Sequence, residues 1–144
     1  MNRTPGSRAS ARERLKAAAL RPTRQRLALA ELLFGGAHCH VSAEQLHGEA
    51  QAAGVKVSLA TVYNTLHHFT RAGLLREVVV EAGRGYFDTN MAHHHHFYHE
   101  GEQRLVDIPG DEIRVENLPR PPKGAVLARV DVVIRLRSEK RDRR

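Results

Sequence analysis

Five histidines stand within seven positions in "HHHHFYH", residues 93 to 99. Imidazole ligates divalent metals and haem iron, so the run admits a metal site, a haem seat or a solvated polar loop. It lies deep inside the chain, where a purification tag would not normally sit. Three features count against a solvated loop. In an extended segment alternate side chains share a face, so His94 and His96 point together while His93 and His95 point the other way. Carboxylates close the β-rich runs on either side, Asp88 before and Asp107 after. His40 stands just ahead of a helix cap at Ser42. Haem makes a stricter demand than an ion, because two axial ligands must reach the iron from opposite sides of a flat ring. One ligand is then expected among His94, His95 and His96 and the other elsewhere. Phe97 and Tyr98 fit either the flank of a macrocycle or a core, and His99 reads as peripheral.

The elements around the run can be read from caps and periodicity. "MNRTPGSRAS" reads as a mobile basic arm, and a helix is expected through "ARERLKAAAL". After Pro22, "TRQRLALAELLF" is a helix with Thr23 as N-cap, with Leu27, Ala30, Leu33 and Phe34 on one face and Gly35-Gly36 at its end. Ser42 with Gln45 makes a capping box, and Gly54 closes that helix. "SLATVYNTLHHFTRAG" follows, capped by Ser58 and ended at Gly73, with Val62, Leu66 and Phe69 buried. "LLREVVVE" and "RGYFD" read as a hairpin turning at Ala82–Gly85. Helices followed by a hairpin describe a winged helix-turn-helix with 58–72 as the reading helix. Beyond residue 90, "QRLVDI" reads as a strand and "DEIRVENL" as about two turns of helix. "AVLARVDVVIRLR" reads as a strand with Val126, Ala128, Val130, Val132, Ile134 and Leu136 on one face. The expected class is α+β: a flexible basic arm over 1–14, a winged-helix DNA-binding domain over 15–89, and a small α/β dimerisation and effector-sensing domain over 90–144. About 50 residues make a poor independent core, so the last part is expected to pair with a second copy.

Composition limits the partners. The chain has 144 residues, a net charge of +7 and one cysteine, Cys39, which excludes an intramolecular disulfide and an all-thiolate zinc site. Residues 1–30 carry eight Arg/Lys and one acid, 129–144 carry seven and three, and 31–128 carry eight and twelve. Basic ends around an acidic centre fit a polyanion at the ends and a cation in the middle. No apolar run is long enough to cross a bilayer and no secretory signal is legible, so the expected place is cytoplasmic.

The polyanion is expected to be double-stranded DNA. Arg21, Thr23, Arg24 and Arg26 gather at a helix start, where free N–H groups and cationic side chains suit phosphates. Ser58, Thr61, Tyr63 and Asn64 on the reading helix are short or planar groups suited to base edges, and Tyr63 or Thr61 can meet a thymine methyl. His67 and His68 read as surface or phosphate contacts. A His/Asp hydrolase is the rival from another class. No H-E-x-x-H motif and no base apart from the ligands support it, and a non-enzyme is expected.

"LRPTRQRLAL", "HVSAEQL", "SLATVYNTL", "AGLLREV", "YFDTN" and the histidine run followed by "LVDI" resemble the ferric uptake regulator family over about residues 15 to 137. The combination is most similar to its iron response regulator branch. The resemblance implies a dimeric repressor or activator with metal sites at the junction of two domains, and in that branch haem sensing through the histidine triplet. The residues matching the family's retained metal site are His40, Asp88, His96 and Asp107, with His94 a further ligand, for one Fe²⁺, Mn²⁺ or Zn²⁺ per subunit. The implied haem-binding residues are His94, His95 and His96. Three departures stand out. There are no paired Cys-x-x-Cys motifs for a structural zinc, Arg114 and Val130 fall where a second metal site has an acid and a histidine, and Cys39 precedes His40 rather than a proline. The expected function is an iron- or haem-responsive regulator of iron-uptake and haem-synthesis genes, held on DNA by metal and released by haem. The alternative is a plain Fe²⁺, Mn²⁺ or Zn²⁺ sensor.

Overall fold

Four times before residue 60, a Ser or Thr in extended backbone accepts the amide N–H three residues on. Ser10, Thr23, Ser42 and Ser58 receive Glu13, Arg26, Gln45 and Thr61 and start the four helices. Each such cap contributes about 1 kcal/mol by satisfying an amide that the helix cannot. The helices are α1 (Ala11–Ala17), α2 (Arg24–Phe34), α3 (Ala43–Ala52) and α4 (Leu59–Arg71). At Ser42 the box is complete, since its own N–H donates to the Gln45 side chain. Gly54 and Gly73 follow α3 and α4 at φ of 75° and 81°, where a side chain would be strained. This computed structural model describes residues 10–81 and 83–139. Most of the expected basic arm, the chain beyond 139 and Ala82 of the hairpin turn lie outside them.

The chain divides between Met91 and Ala92 into two units. In the first, Leu15, Leu29, Leu33, Leu46, Val62, Leu66 and Phe69 are fully buried together. At about 1.5–3 kcal/mol for each large side chain, this core fixes how α2, α3 and α4 pack. Val62, Leu66 and Phe69 are the stripe expected on α4, and Thr65 joins them. The hairpin is β2 (Arg76–Glu81) with β3 (Arg84–Asp88), antiparallel and bulged between Val79 and Glu81. A two-residue strand that the sequence does not announce, β1 (His40–Val41), adds to the other edge of β3 and gives the order β1-β3-β2.

The second unit is a three-stranded sheet, order β5-β4-β6, with β4 over His94–His99, β5 over Arg104–Pro109 and β6 over Val133–Leu136. β4 and β5 are antiparallel, and β4 and β6 parallel. Its buried apolar residues are Tyr98 and Leu105 on one face and Ile108 on the other.

Two expectations fail here. "DEIRVENL" is not two turns of helix: a single 3₁₀ turn spans Gly110–Glu112 and irregular chain follows. Val115 and Leu118 are exposed and Asn117 turns to φ 60°, so no apolar face is buried to hold so short a helix. The strand expected over 125–137 is reduced to β6, because only Val133–Leu136 pairs in register with β4. Upstream, Val126 and Leu127 are 89% and 61% exposed. Alternation alone does not make a strand without a neighbour to receive its N–H and C=O groups.

Candidate metal centre and nucleic-acid interface

β4 is extended, so its histidines alternate as expected. The His94 and His96 rings pack edge to face at 4.6 Å between centroids, while His93 and His95 pack at 5.0 Å. Register places Asp107 of β5 directly opposite His96. Asp107 Oδ1 lies 3.4 Å from His96 Nε2 and 3.7 Å from His94 Nε2. His94, His96 and Asp107 thus each offer a ligand atom, all within 4.8 Å of one another. Two nearly dry imidazoles (4% and 2% exposed) beside a half-exposed carboxylate fit a divalent ion better than a general acid or base.

Backbone contacts set the tautomers. His94 Nδ1–H donates to the Ala92 carbonyl at 2.6 Å, so in the neutral ring Nε2 bears the lone pair and faces Asp107. His95 is fixed the other way, because the Val132 N–H donates to its Nδ1 at 3.2 Å. Next to it, the His96 N–H donates to the Val132 carbonyl. Val132 therefore holds the backbone of one candidate ligand and the ring of its neighbour. His93 is exposed and packs so closely on Gly110 that a Cβ there would stand 2.2 Å from the ring.

His40 and Asp88 belong to the first unit, where they are paired across β1 and β3. Asp88 is buried, and its Oδ1 accepts the Asn90 N–H at 2.8 Å. Beside it, Thr89 Oγ1 accepts the Cys39 N–H at 2.9 Å and donates to the Cys39 carbonyl, tying β3 to the segment before β1. Burial pushes the Cys39 thiol up despite its hydrogen bond with Thr89, so it is a poor thiolate ligand.

The groups expected to meet DNA divide by what already holds them. Arg21 and Arg24 are exposed at the start of α2, where the Thr23 side chain is the cap. Arg24 and Lys56 flank a surface cavity of about 510 Å³ between α2 and the segment after α3. Lys56 was not among the residues expected beside Arg24, because adjacency to α2 is not written in local sequence. Arg26 is tied inward: Nη1 donates to the Arg21 carbonyl at 3.0 Å and Nη2 meets His68 Nδ1 at 3.4 Å. On α4, Ser58 Oγ accepts the Thr61 N–H and donates to Thr61 Oγ1, whereas Asn64 is exposed. Tyr63 stacks on His67, which meets Phe87 of β3 edge-on, and the Tyr63 hydroxyl donates to Glu44 Oε1 at 3.2 Å.

The fold is α+β, a unit of four helices and a three-stranded sheet followed by a small α/β unit. The chain belongs to the ferric uptake regulator family, whose sequence profile matches residues 17–134. It is 40% identical over 81 residues to the ferric uptake regulation protein of Shigella flexneri, covering 56% of this chain and 55% of that one. The chain thus spans about half the length of the curated relatives it matches. Its structure is similar to the ferric uptake regulator of Pseudomonas aeruginosa with manganese (TM-score 0.70, 24% identity, 92% of this chain and 100% of that one). The ferric uptake regulator of Vibrio cholerae gives a TM-score of 0.69 at 23% identity, over 87% and 97% of the two chains. No helix among the described residues is long and apolar enough to cross a membrane.

Proposed function

We propose that the chain is a metal-responsive transcription regulator that binds double-stranded operator DNA as a homodimer. The observation that carries this reading is the convergence of His94, His96 and Asp107 on one face of β4 and β5. A divalent ion supplies there a charge that holds imidazole and carboxylate together. The Pseudomonas aeruginosa structure contains manganese, and His/Asp donors suit Mn²⁺, Fe²⁺ and Zn²⁺ alike. His40 and Asp88 complete the ligand set on the strength of the sequence resemblance.

The DNA-contacting set comprises Arg21, Thr23, Arg24 and Arg26 around the start of α2 and Ser58, Thr61, Tyr63 and Asn64 on α4. Lys56 joins it beside Arg24. Pairing of two copies is supported by the apolar residues that the second unit exposes, Val115, Leu118, Val126, Leu127 and Ile134. Such a chain acts where DNA is, in the cytoplasm of a bacterium.

Haem as effector is a second reading, with iron-uptake and haem-synthesis genes as targets. It rests on the likeness of the triplet His94–His96 to the iron response regulator branch. The burial of all three rings favours the ion, since haem requires β4 to open. Mn²⁺, Fe²⁺ or Zn²⁺ titrated into metal-free protein with a duplex pool tests the first reading, and a Soret titration with ferric haem tests the second. DNA binding that follows the ion and ignores haem supports plain metal sensing, and saturable haem uptake with loss of DNA supports the haem switch.

A further inference from the structure

Tyr63 sits on the reading helix at the rim of a groove it lines with Glu77, Arg84 and Phe87 of the hairpin. His67 stacks on its ring and is itself met edge-on by Phe87, which restricts where the hydroxyl can lie. A phenol has one proton to donate and lone pairs to accept with. The Tyr63 proton points to Glu44 Oε1, 3.2 Å away in the first turn of α3. An ionised carboxylate has no proton to return, so the direction of this bond is not reversible.

We propose that Glu44 determines base specificity: by taking the Tyr63 hydroxyl proton it makes Tyr63 an acceptor toward DNA and directs it to an amino-bearing base edge, adenine N6 or cytosine N4. Guanine O6 and N7 and thymine O4 are acceptors and would meet the Tyr63 oxygen lone pair to lone pair. Burial and the carboxylates of Glu44 and Glu77 hold the Tyr63 phenol above its ordinary range, so the proton that makes the bond is present at neutral pH. The inference deepens the DNA-binding reading and rests on it. Neither Glu44 nor its distance from Tyr63 is visible in the sequence, since the residues are 19 positions apart on different helices.

The test uses metal-loaded full-length protein and selection from a randomised duplex library with wild type, Tyr63→Phe and Glu44→Gln. Wild type is expected to select a motif, and Tyr63→Phe to lose preference for adenine or cytosine at one position by about tenfold, the scale of one mismatched pair. The Gln amide can donate to the phenol oxygen and free its proton, so Glu44→Gln is expected to move that position toward guanine or thymine. Unaltered metal binding and circular dichroism identify the variants as folded. In parallel, the alkaline absorbance titration of Tyr63 should begin at lower pH in Glu44→Gln. A Glu44→Gln motif identical to wild type at every position overturns the proposal while leaving DNA reading intact. Failure of wild type to select any motif overturns both.

Discussion

The carboxylate of Asp107 faces two histidines of the opposing strand, with Oδ1 3.4 Å from His96 Nε2 and 3.7 Å from His94 Nε2. A single carboxylate oxygen near two imidazole nitrogens is a geometry that an ion satisfies from its centre. His96→Ala is therefore expected to weaken Mn²⁺ or Zn²⁺ binding by at least about a hundredfold, since even loss of an outer-shell partner costs roughly 10–100-fold. Asp107→Asn keeps one oxygen ligand and should cost less. Titration calorimetry on metal-free protein checks both.

Arg24 and Arg26 are two residues apart in the sequence, yet their surroundings predict different defects. Arg24 is exposed beside Lys56, whereas Arg26 is held by the Arg21 carbonyl and His68. Arg24→Ala should reduce the slope of log affinity against log salt by about 0.9, one phosphate contact, with stability unchanged. Arg26→Ala should lower unfolding free energy by about 1 kcal/mol, because two bonds that tie α2 to its own start and to α4 are lost. Salt-dependent DNA binding and urea denaturation separate the two.

Ser42→Ala removes the acceptor for the Gln45 N–H and half of the reciprocal box. The expected cost is about 1 kcal/mol, read as a Tm lower by roughly 4 °C. Gln45→Ala should cost less, because it leaves the Ser42 acceptor in place.

Tyr63 gives the chain an alkaline dependence with a defined sign. Its phenol is raised above the ordinary phenol range by burial first and by Glu44 next, so the folded state keeps the proton longer than the unfolded chain. The resulting stability is full below the unfolded value and is lost as pH rises through the folded one. Denaturation midpoints should fall more steeply above pH about 10 in wild type than in Tyr63→Phe.

The helices were legible because their signals are local. Thr23, Ser42 and Ser58 cap where their side chains and the following periodicity predict, and the β4 alternation follows from extended backbone alone. What was not legible depends on neighbours. β1 exists because β3 offers an edge to His40 and Val41. The alternating stretch before Val132 forms no strand, and Val126 and Leu127 within it are exposed. The candidate ligands themselves were named from motifs, whereas the ring orientation of His94 came from the carbonyl of Ala92 and that of its neighbour His95 from the N–H of Val132. Lys56 beside Arg24 and Glu44 beside Tyr63 are products of packing between helices, which no local pattern records.

In the proposed function, an ion at His94, His96 and Asp107 governs DNA binding. The most direct measurement is the affinity of wild type and His96→Ala for a duplex selected with wild-type protein, titrated with Mn²⁺ or Fe²⁺ from a chelated start. Wild type is expected to gain about tenfold or more on metal addition, and His96→Ala to gain nothing at the same concentrations. Equal DNA affinity of wild type with and without metal, or a full metal response in His96→Ala, would contradict it.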